Sequence, residues 1–344
     1  MHKSHIQSAA FFVLASIYVS AGCQGGSRDQ PAENSLAHSA PEIKARPLTN
    51  RSFVRTPERV ARGRYLVNGI GECFACHGPS DPESPGWPPV TGKEGSGAEN
   101  FSSETPGLVA ANLTPDRETG IGNWTDDMLA RAIREGVGHD GRLLHPTVMP
   151  YEFYRAMSDE DLASIIVYLR SLRAIRNPLP APRISAHIVA PYAIPIYAPI
   201  PMPEISPPVK RGAYLVQIGA CQWCHTLRDE NRRSLPGLEF AGGDLITPNP
   251  FPQVTSANLT PDSSGISYYD EALFLNVIHT GKVGARKLNP IMPWWYFAHM
   301  TDEDLKAIFA YLRTTKPVQH RVDKSEPVAY CRICKRKHHG GALN

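Results

Sequence analysis

Two short segments bring the same three side chains together, Cys73-Phe-Ala-Cys76-His77 and Cys221-Gln-Trp-Cys224-His225. Thiols three positions apart can add across the two vinyl groups of one porphyrin. A histidine directly after the second thiol is then placed to bind the iron from the proximal side. Each segment therefore reads as an attachment site for one covalent haem c, two in all. A pair of disulfides, or a zinc site of four cysteines, would use the same thiols but leave both histidines without a role.

The sixth iron ligand separates an electron carrier from an enzyme. Met149 and Met292 each open a Met-Pro-aromatic loop, Met149-Pro-Tyr-Glu-Phe-Tyr154 and Met292-Pro-Trp-Trp-Tyr-Phe297. Proline stiffens such a loop and the aromatics keep water out, so these two methionines are read as the distal ligands. Met157 and Met300 also recur, but each precedes a helix cap, where an apolar side chain packs back as a staple. They are read as core. His139, His145, His279 and His299 flank the methionine loops without recurring at matching positions, and are read as surface or structural histidines. With both irons closed by methionine the chain is a carrier and not itself an enzyme. The rival is a dihaem peroxidase with one open iron.

These groups are positioned by an internal repeat of about 145 residues. Arg62-Gly-Arg-Tyr-Leu-Val67 returns as Arg211-Gly-Ala-Tyr-Leu-Val216, and a haem motif follows each. Ala111-Asn-Leu-Thr-Pro-Asp116 returns as Ala257-Asn-Leu-Thr-Pro-Asp262, and Tyr168-Leu-Arg170 as Tyr311-Leu-Arg313. The Asn-x-Thr triplets at Asn112 and Asn258 read as loop structure, not glycan sites.

Each copy reads as three helices. The first runs near 57–68 and 207–217, the middle one near 126–135 and 268–280, the last near 159–172 and 302–314. Thr125 and Gly136 bound one middle helix; Ser267 with Asp270 as a capping box, and Gly281, bound the other. Ser158/Asp161 and Thr301/Asp304 open the last helices in the same box arrangement. Gly63 and Gly212 lie inside helices, which costs about 1 kcal/mol each relative to alanine. The expected reason is close approach of the last helix, near Tyr168 and Tyr311.

The apolar run Ala9–Val19 after Lys3 reads as a secretory signal over 1–22. Ser20-Ala-Gly-Cys23 is similar to a bacterial lipoprotein box, with Cys23 as the acylated residue; ordinary cleavage nearby is the alternative. Residues 23–52 read as a flexible tether, 53–176 and 208–322 as the two haem domains, 177–207 as a stiff Pro-rich linker and 323–344 as a basic Cys/His tail. The expected location is the periplasm or outer cell surface, lipid-anchored. The formal charge falls from +3 to −2 once the five cations Lys3, Arg332, Lys335, Arg336 and Lys337 are set aside. Haem propionates would make the body more acidic still, which argues against nucleic acid as a partner.

Asn112-Leu-Thr-Pro-Asp116, Thr119-Gly-Ile-Gly-Asn-Trp124, Arg134-Glu-Gly136, Asp140-Gly-Arg142, Met149-Pro-Tyr151 and Asp159-Glu-Asp-Leu162 resemble segments of the multihaem cytochrome c subunits of bacterial membrane-bound alcohol, aldehyde and gluconate dehydrogenases. The resemblance implies an all-α fold of two tandem class I cytochrome c domains with His/Met ligation. It also implies redox partners, a dehydrogenase catalytic subunit or a respiratory complex. Those subunits typically carry three haem motifs and a C-terminal membrane anchor, whereas this chain has two motifs.

The tail holds Cys331-Arg-Ile-Cys334-Lys335 and then His338 and His339. A local disulfide in a mobile tail is the leading expectation. A zinc site with His338 or His339, and a variant haem motif, are alternatives.

Overall fold

The computed structural model describes residues 45–99, 107–146, 148–183, 192–229, 233–247 and 253–344. The leader and Cys23 lie outside the described residues. All of the described residues belong to one compact unit.

The first copy comprises α1 (Pro57–Asn68), the short α2 (Cys73–Cys76), the ribbon β1 (Ala98–Glu99) with β2 (Val109–Ala110), α3 (Asp126–Glu135), the single turn α4 (Tyr151–Tyr154) and α5 (Asp159–Arg170). The second repeats this order with α6 (Pro208–Ile218), α7 (Cys221–His225), β3 (Leu245–Ile246) with β4 (Val254–Thr255), α8 (Glu271–Thr280), the hairpin β5 (Lys282–Val283) with β6 (Arg286–Lys287), α9 (Trp294–Phe297) and α10 (Asp302–Leu312). The chain closes on an antiparallel hairpin, β7 (Val328–Tyr330) with β8 (Lys337–His339). The fold is helical, with two-stranded ribbons added in the loops. No described helix is long and apolar enough to cross a membrane.

Local chemistry explains the helix ends. Thr56 caps α1 with its hydroxyl on the Arg59 N–H at 3.2 Å, and proline stands at the first helical position. Thr125 caps α3, which Gly136 ends at φ 73°. The helix expected over 268–280 begins later, at Glu271. Asp270, not Ser267, supplies the cap, accepting from the Leu273 N–H at 2.7 Å. A carboxylate in the first turn also answers the helix dipole, which a hydroxyl does not.

The pairing of first and last helices organises each copy, α1 against α5 and α6 against α10. A Cβ on Gly63 would stand 1.9 Å from the Ser164 carbonyl oxygen, and one on Gly212 would stand 1.9 Å from that of Ala307. Only glycine lets these backbones touch. Leu66, Val67, Leu162, Ile166 and Leu169 fill the contact in the first copy, and Leu215, Val216, Leu305 and Leu312 in the second. Both sets belong to one continuous core, bridged at the boundary by Ile70, Ile218, Tyr296 and Met300.

Two stretches differ from expectation, the end of the tether and the C-terminal tail. The end of the tether is bound to α3: the Arg46 guanidinium reaches Asp127 at 2.7 Å and Glu135 at 2.8 Å, and the Thr49 and Phe53 N–H groups donate to Asp127 and Asp126. Polar composition suggested flexibility, but a buried ion pair orders the segment. The Pro-rich stretch, where described, lies along the first copy: Ile194 N–H donates to Glu135 O, and Asp159 and Ile200 exchange hydrogen bonds. The C-terminal tail is a folded hairpin, and both its cysteines are buried free thiols. The expected mobile tail with a local disulfide is not what the structure shows, because the hairpin packs on a small apolar cluster of Leu227, Leu238, Ala241 and Val318.

Candidate haem-binding site

Each attachment motif forms one helical turn, entered through a residue in the left-handed conformation, Glu72 at φ 41° and Ala220 at φ 50°. That bend takes the chain off α1 or α6 and turns the two thiols and the histidine towards a shared interior. The histidines are then fixed by backbone. His77 Nδ1 donates to the Ala111 carbonyl at 2.8 Å, and His225 Nδ1 to that of Ala257 at 2.7 Å. A proton held on Nδ1 leaves the Nε2 lone pair available to a metal.

The repeated Ala-Asn-Leu-Thr segment makes this possible. Asn112 Oδ1 accepts from Thr114 N–H at 2.9 Å and Thr114 Oγ1 at 2.7 Å, while its Nδ2 donates to Ile175 O. Asn258 does the same with Thr260, and donates to Val318 O and His320 O. Both asparagines are buried, so the Asn-x-Thr triplets brace the loop that presents each carbonyl.

A cavity of about 1770 Å³ connects the two motifs. Cys73, Cys76, His77 and Met149 line it from the first copy, and Cys221, Cys224, His225 and Met292 from the second. Its walls are the aliphatic faces of the last helices, including Ile165, Leu169, Leu305 and Ile308. Burial pushes the Cys73 and Cys221 thiols up to about 12, so they are neutral at physiological pH. Burial also pushes His225 down to about 4, against the support of the Ala257 carbonyl, and lowers His77 in the same way. Both imidazoles are therefore neutral, the form that binds a metal.

The residues fit haem. The cavity wall is mostly apolar, as a macrocycle would need, and Arg142, Arg176, Arg286 and Lys324 line it with charge suited to propionates. Tyr296 also lines the cavity, and its hydroxyl is buried with no hydrogen-bond partner among the described residues.

Of the methionine pairs, both Met149 and Met292 line the cavity; Met157 lines it too while sitting in the core at 2% exposure, and Met300 does not line it. Of the four flanking histidines, His145 alone lines the cavity. His139 stacks on Trp124, His279 pairs with Asp302 and His299 bonds to Trp295 O. The cavity position of His145 had no counterpart in the repeat to signal it.

No family model matches the chain. It is homologous to cytochrome c subunits of dehydrogenases. It is 28% identical over 295 residues to the fructose dehydrogenase cytochrome subunit of Gluconobacter japonicus, covering 79% of this chain and 56% of that protein. It is 27% identical over 292 residues to the cytochrome c subunit of the quinone alcohol dehydrogenase of Gluconacetobacter polyoxogenes, covering 79% and 60%. A diheme cytochrome c-type protein of Cereibacter sphaeroides is 28% identical over 284 residues, covering 78% of this chain and 89% of that one. The chain thus spans little more than half the length of the dehydrogenase subunits it matches, and most of the diheme protein.

Proposed function

We propose that this relative of dehydrogenase cytochrome subunits is a dihaem electron carrier, passing single electrons from a dehydrogenase or respiratory complex to a downstream acceptor. The two haems, once attached, supply one-electron Fe(III)/Fe(II) chemistry. The chain's residues do the rest. Cys73 and Cys76 hold one haem and Cys221 and Cys224 the other. His77 and His225 would be the proximal ligands, each kept neutral by burial and aimed by an alanine carbonyl. Met149 and Met292, which line the cavity, would supply the distal ligands and so leave substrate no open position. Thioether ligation in an apolar cavity favours the ferrous state and raises the potential.

The observation that carries this reading is the duplicated imidazole–carbonyl bond, at 2.8 Å and 2.7 Å, at the wall of one cavity. Two motifs opening into one cavity of one compact unit support a reading with two neighbouring redox centres, as a carrier would use. In this reading the protein works in the periplasm or at the outer surface, tethered by lipid at Cys23.

Optical spectra of the purified protein test it. Two covalent haems per chain, each with a methionine-to-iron charge-transfer band and neither binding carbon monoxide when reduced, are the expected result. A haem that binds carbon monoxide or reacts with peroxide would overturn the carrier reading for that site.

A further inference from the structure

The C-terminal hairpin gathers a second set of metal-binding side chains, separate from the haem motifs. Cys331 and Cys334 sit in its turn. The Cys334 N–H donates to Cys331 Sγ at 3.4 Å, and the Lys335 N–H to Cys331 O at 3.0 Å. Lys335 turns the chain back at φ 59°, and Cys331 N–H closes on Arg336 O at 2.8 Å. This turn puts both thiols on one side. His338 comes from β8, and His320 from the strap that follows α10.

The ligand atoms of His320, Cys331, Cys334 and His338 all lie within 4.8 Å of one another, and all four residues are buried. His320 Nδ1 donates to Ala241 O at 2.9 Å, which turns Nε2 towards Cys331 Sγ, 3.5 Å away. His338 Nδ1 donates to His339 O at 2.9 Å, and its Nε2 is buried with no partner. A buried polar atom left unpaired is costly, so the His338 Nε2 calls for a ligand. Here two imidazoles are fixed by backbone carbonyls in the way ligating histidines are. Their free nitrogens converge on two thiols.

We propose that His320 Nε2, Cys331 Sγ, Cys334 Sγ and His338 Nε2 form a structural zinc site. Two sulfurs and two nitrogens are a tetrahedral zinc donor set, and a site with such bonds has edges of about 3.3–3.8 Å, a modest contraction of the arrangement seen. Binding releases the two thiol protons, and the two thiolates neutralise the dication. Four protein ligands leave no position for water or substrate, so the metal is a staple and not a catalyst. A disulfide would use the same sulfurs but leave His338 Nε2 unpaired and give His320 no reason to face them. Lys335 is solvent-exposed, which removes the variant haem motif that the sequence allows.

The staple has work to do. The apolar cluster under the hairpin is small, and small cores commonly need a metal to hold. The hairpin lies against the second copy: His339 and Thr255 exchange hydrogen bonds at 2.8 Å and 3.1 Å, and Arg336 reaches Arg228 O. From Thr255 the chain runs through Ser256 to Ala257, whose carbonyl aims His225. Zinc thereby secures the outer wall of the second haem site.

The test uses the full haem-loaded chain, expressed with zinc chloride in the medium and purified without chelator. Metal analysis is expected to find one zinc for every two haem irons. Zinc-edge X-ray absorption should show two sulfurs at about 2.3 Å and two nitrogens at about 2.0 Å. Zinc should fall away in Cys331→Ser, and in His338→Gln if the first variant does not fold; the wild-type spectrum needs neither. A tail peptide lighter by two hydrogens, the mark of a Cys331–Cys334 disulfide, would overturn the proposal. So would zinc absent from the wild type, zinc without sulfur ligands, or iron in its place.

Discussion

Tyr214 Oη donates to the Asp161 carboxylate at 2.7 Å, and the equivalent Tyr65 hydroxyl donates to the equivalent Asp304. Each tyrosine stands on the first helix of one copy and each aspartate on the last helix of the other. The two copies therefore hold one another by a reciprocal exchange about a pseudo-two-fold axis. The backbone joins in: Ser158 N–H donates to Tyr214 Oη and Thr301 N–H to Tyr65 Oη, both at 3.2 Å. In a full capping box Asp161 and Asp304 would accept those N–H groups. Only the hydroxyl half of the box forms, at Ser158 and Thr301. The carboxylates are drawn instead to an arginine of their own copy, Arg62 or Arg211, and a tyrosine of the other. Burial pushes Tyr65 up to about 12, which keeps its hydroxyl a donor across the physiological range.

Tyr214→Phe removes a hydrogen bond to a charged acceptor and should cost about 1.5–3 kcal/mol. Urea unfolding of the haem-loaded protein measures it. A double-mutant cycle with Asp161→Asn should return a coupling of at least about 0.5 kcal/mol. Additive losses would mean that the exchange contributes little.

Gly63→Ala should be damaging out of proportion to its size. Its Cβ would press on the Ser164 carbonyl, a backbone atom that cannot swing away, so the loss should reach about 3 kcal/mol. Gly141→Ala is the control, since a Cβ there meets nothing within 4 Å and pays only for its backbone angle of 84°, about 1 kcal/mol. Melting temperature and haem content report both; equal losses would refute the helix-contact argument.

Acid should loosen the segment that precedes α1. Asp127 is desolvated, which raises its pKa, but hydrogen bonds from Arg46 and Thr49 outweigh that and hold it at about 2. A depressed carboxylate contributes its stability above the unfolded value near 3.8 and loses it as pH falls towards 2. The contribution is about 2 kcal/mol at neutral pH. Asp127→Asn leaves the buried Arg46 with Glu135 but without the carboxylate that takes two of its N–H bonds, and should cost about 1.5–3 kcal/mol. Hydrogen exchange over 46–53 is the measurement, with protection in the wild type at pH 7 and its loss in the variant.

Met149→Ala and Met292→Ala should each remove one of two charge-transfer bands and open that iron to carbon monoxide. Met157→Leu, a volume-conserving change in the core, should leave the spectrum intact and cost less than about 1.5 kcal/mol. An unchanged band in Met149→Ala would exclude thioether ligation there and turn attention to His145, which lines the same cavity.

Much of the site was legible because its chemistry is local. Thiols and histidine are neighbours in each motif, caps act within a turn, and the repeat marks matching loops. Even the role of Gly63 could be read, since a helix tolerates an interior glycine only for a reason. The tether end was misread because the partners of Arg46, at Asp127 and Glu135, are more than eighty residues away. The tail was read through its own four residues and missed His320, whose one signal is a histidine eleven positions before the first cysteine.

By itself the sequence determined what each copy is made of: one Cys-x-x-Cys-His motif, one set of helices and the loop that carries Ala111 or Ala257. Those are short-range properties, set by covalent spacing and by hydrogen bonds within a few residues. Tertiary structure alone decided that the copies share one core and one cavity, that Asp161 serves Tyr214 instead of its own helix end, and that His320 joins a hairpin it is not part of. A hydrogen bond or a ligand set between distant residues depends on where whole helices come to rest, and no residue type announces its partner across that distance.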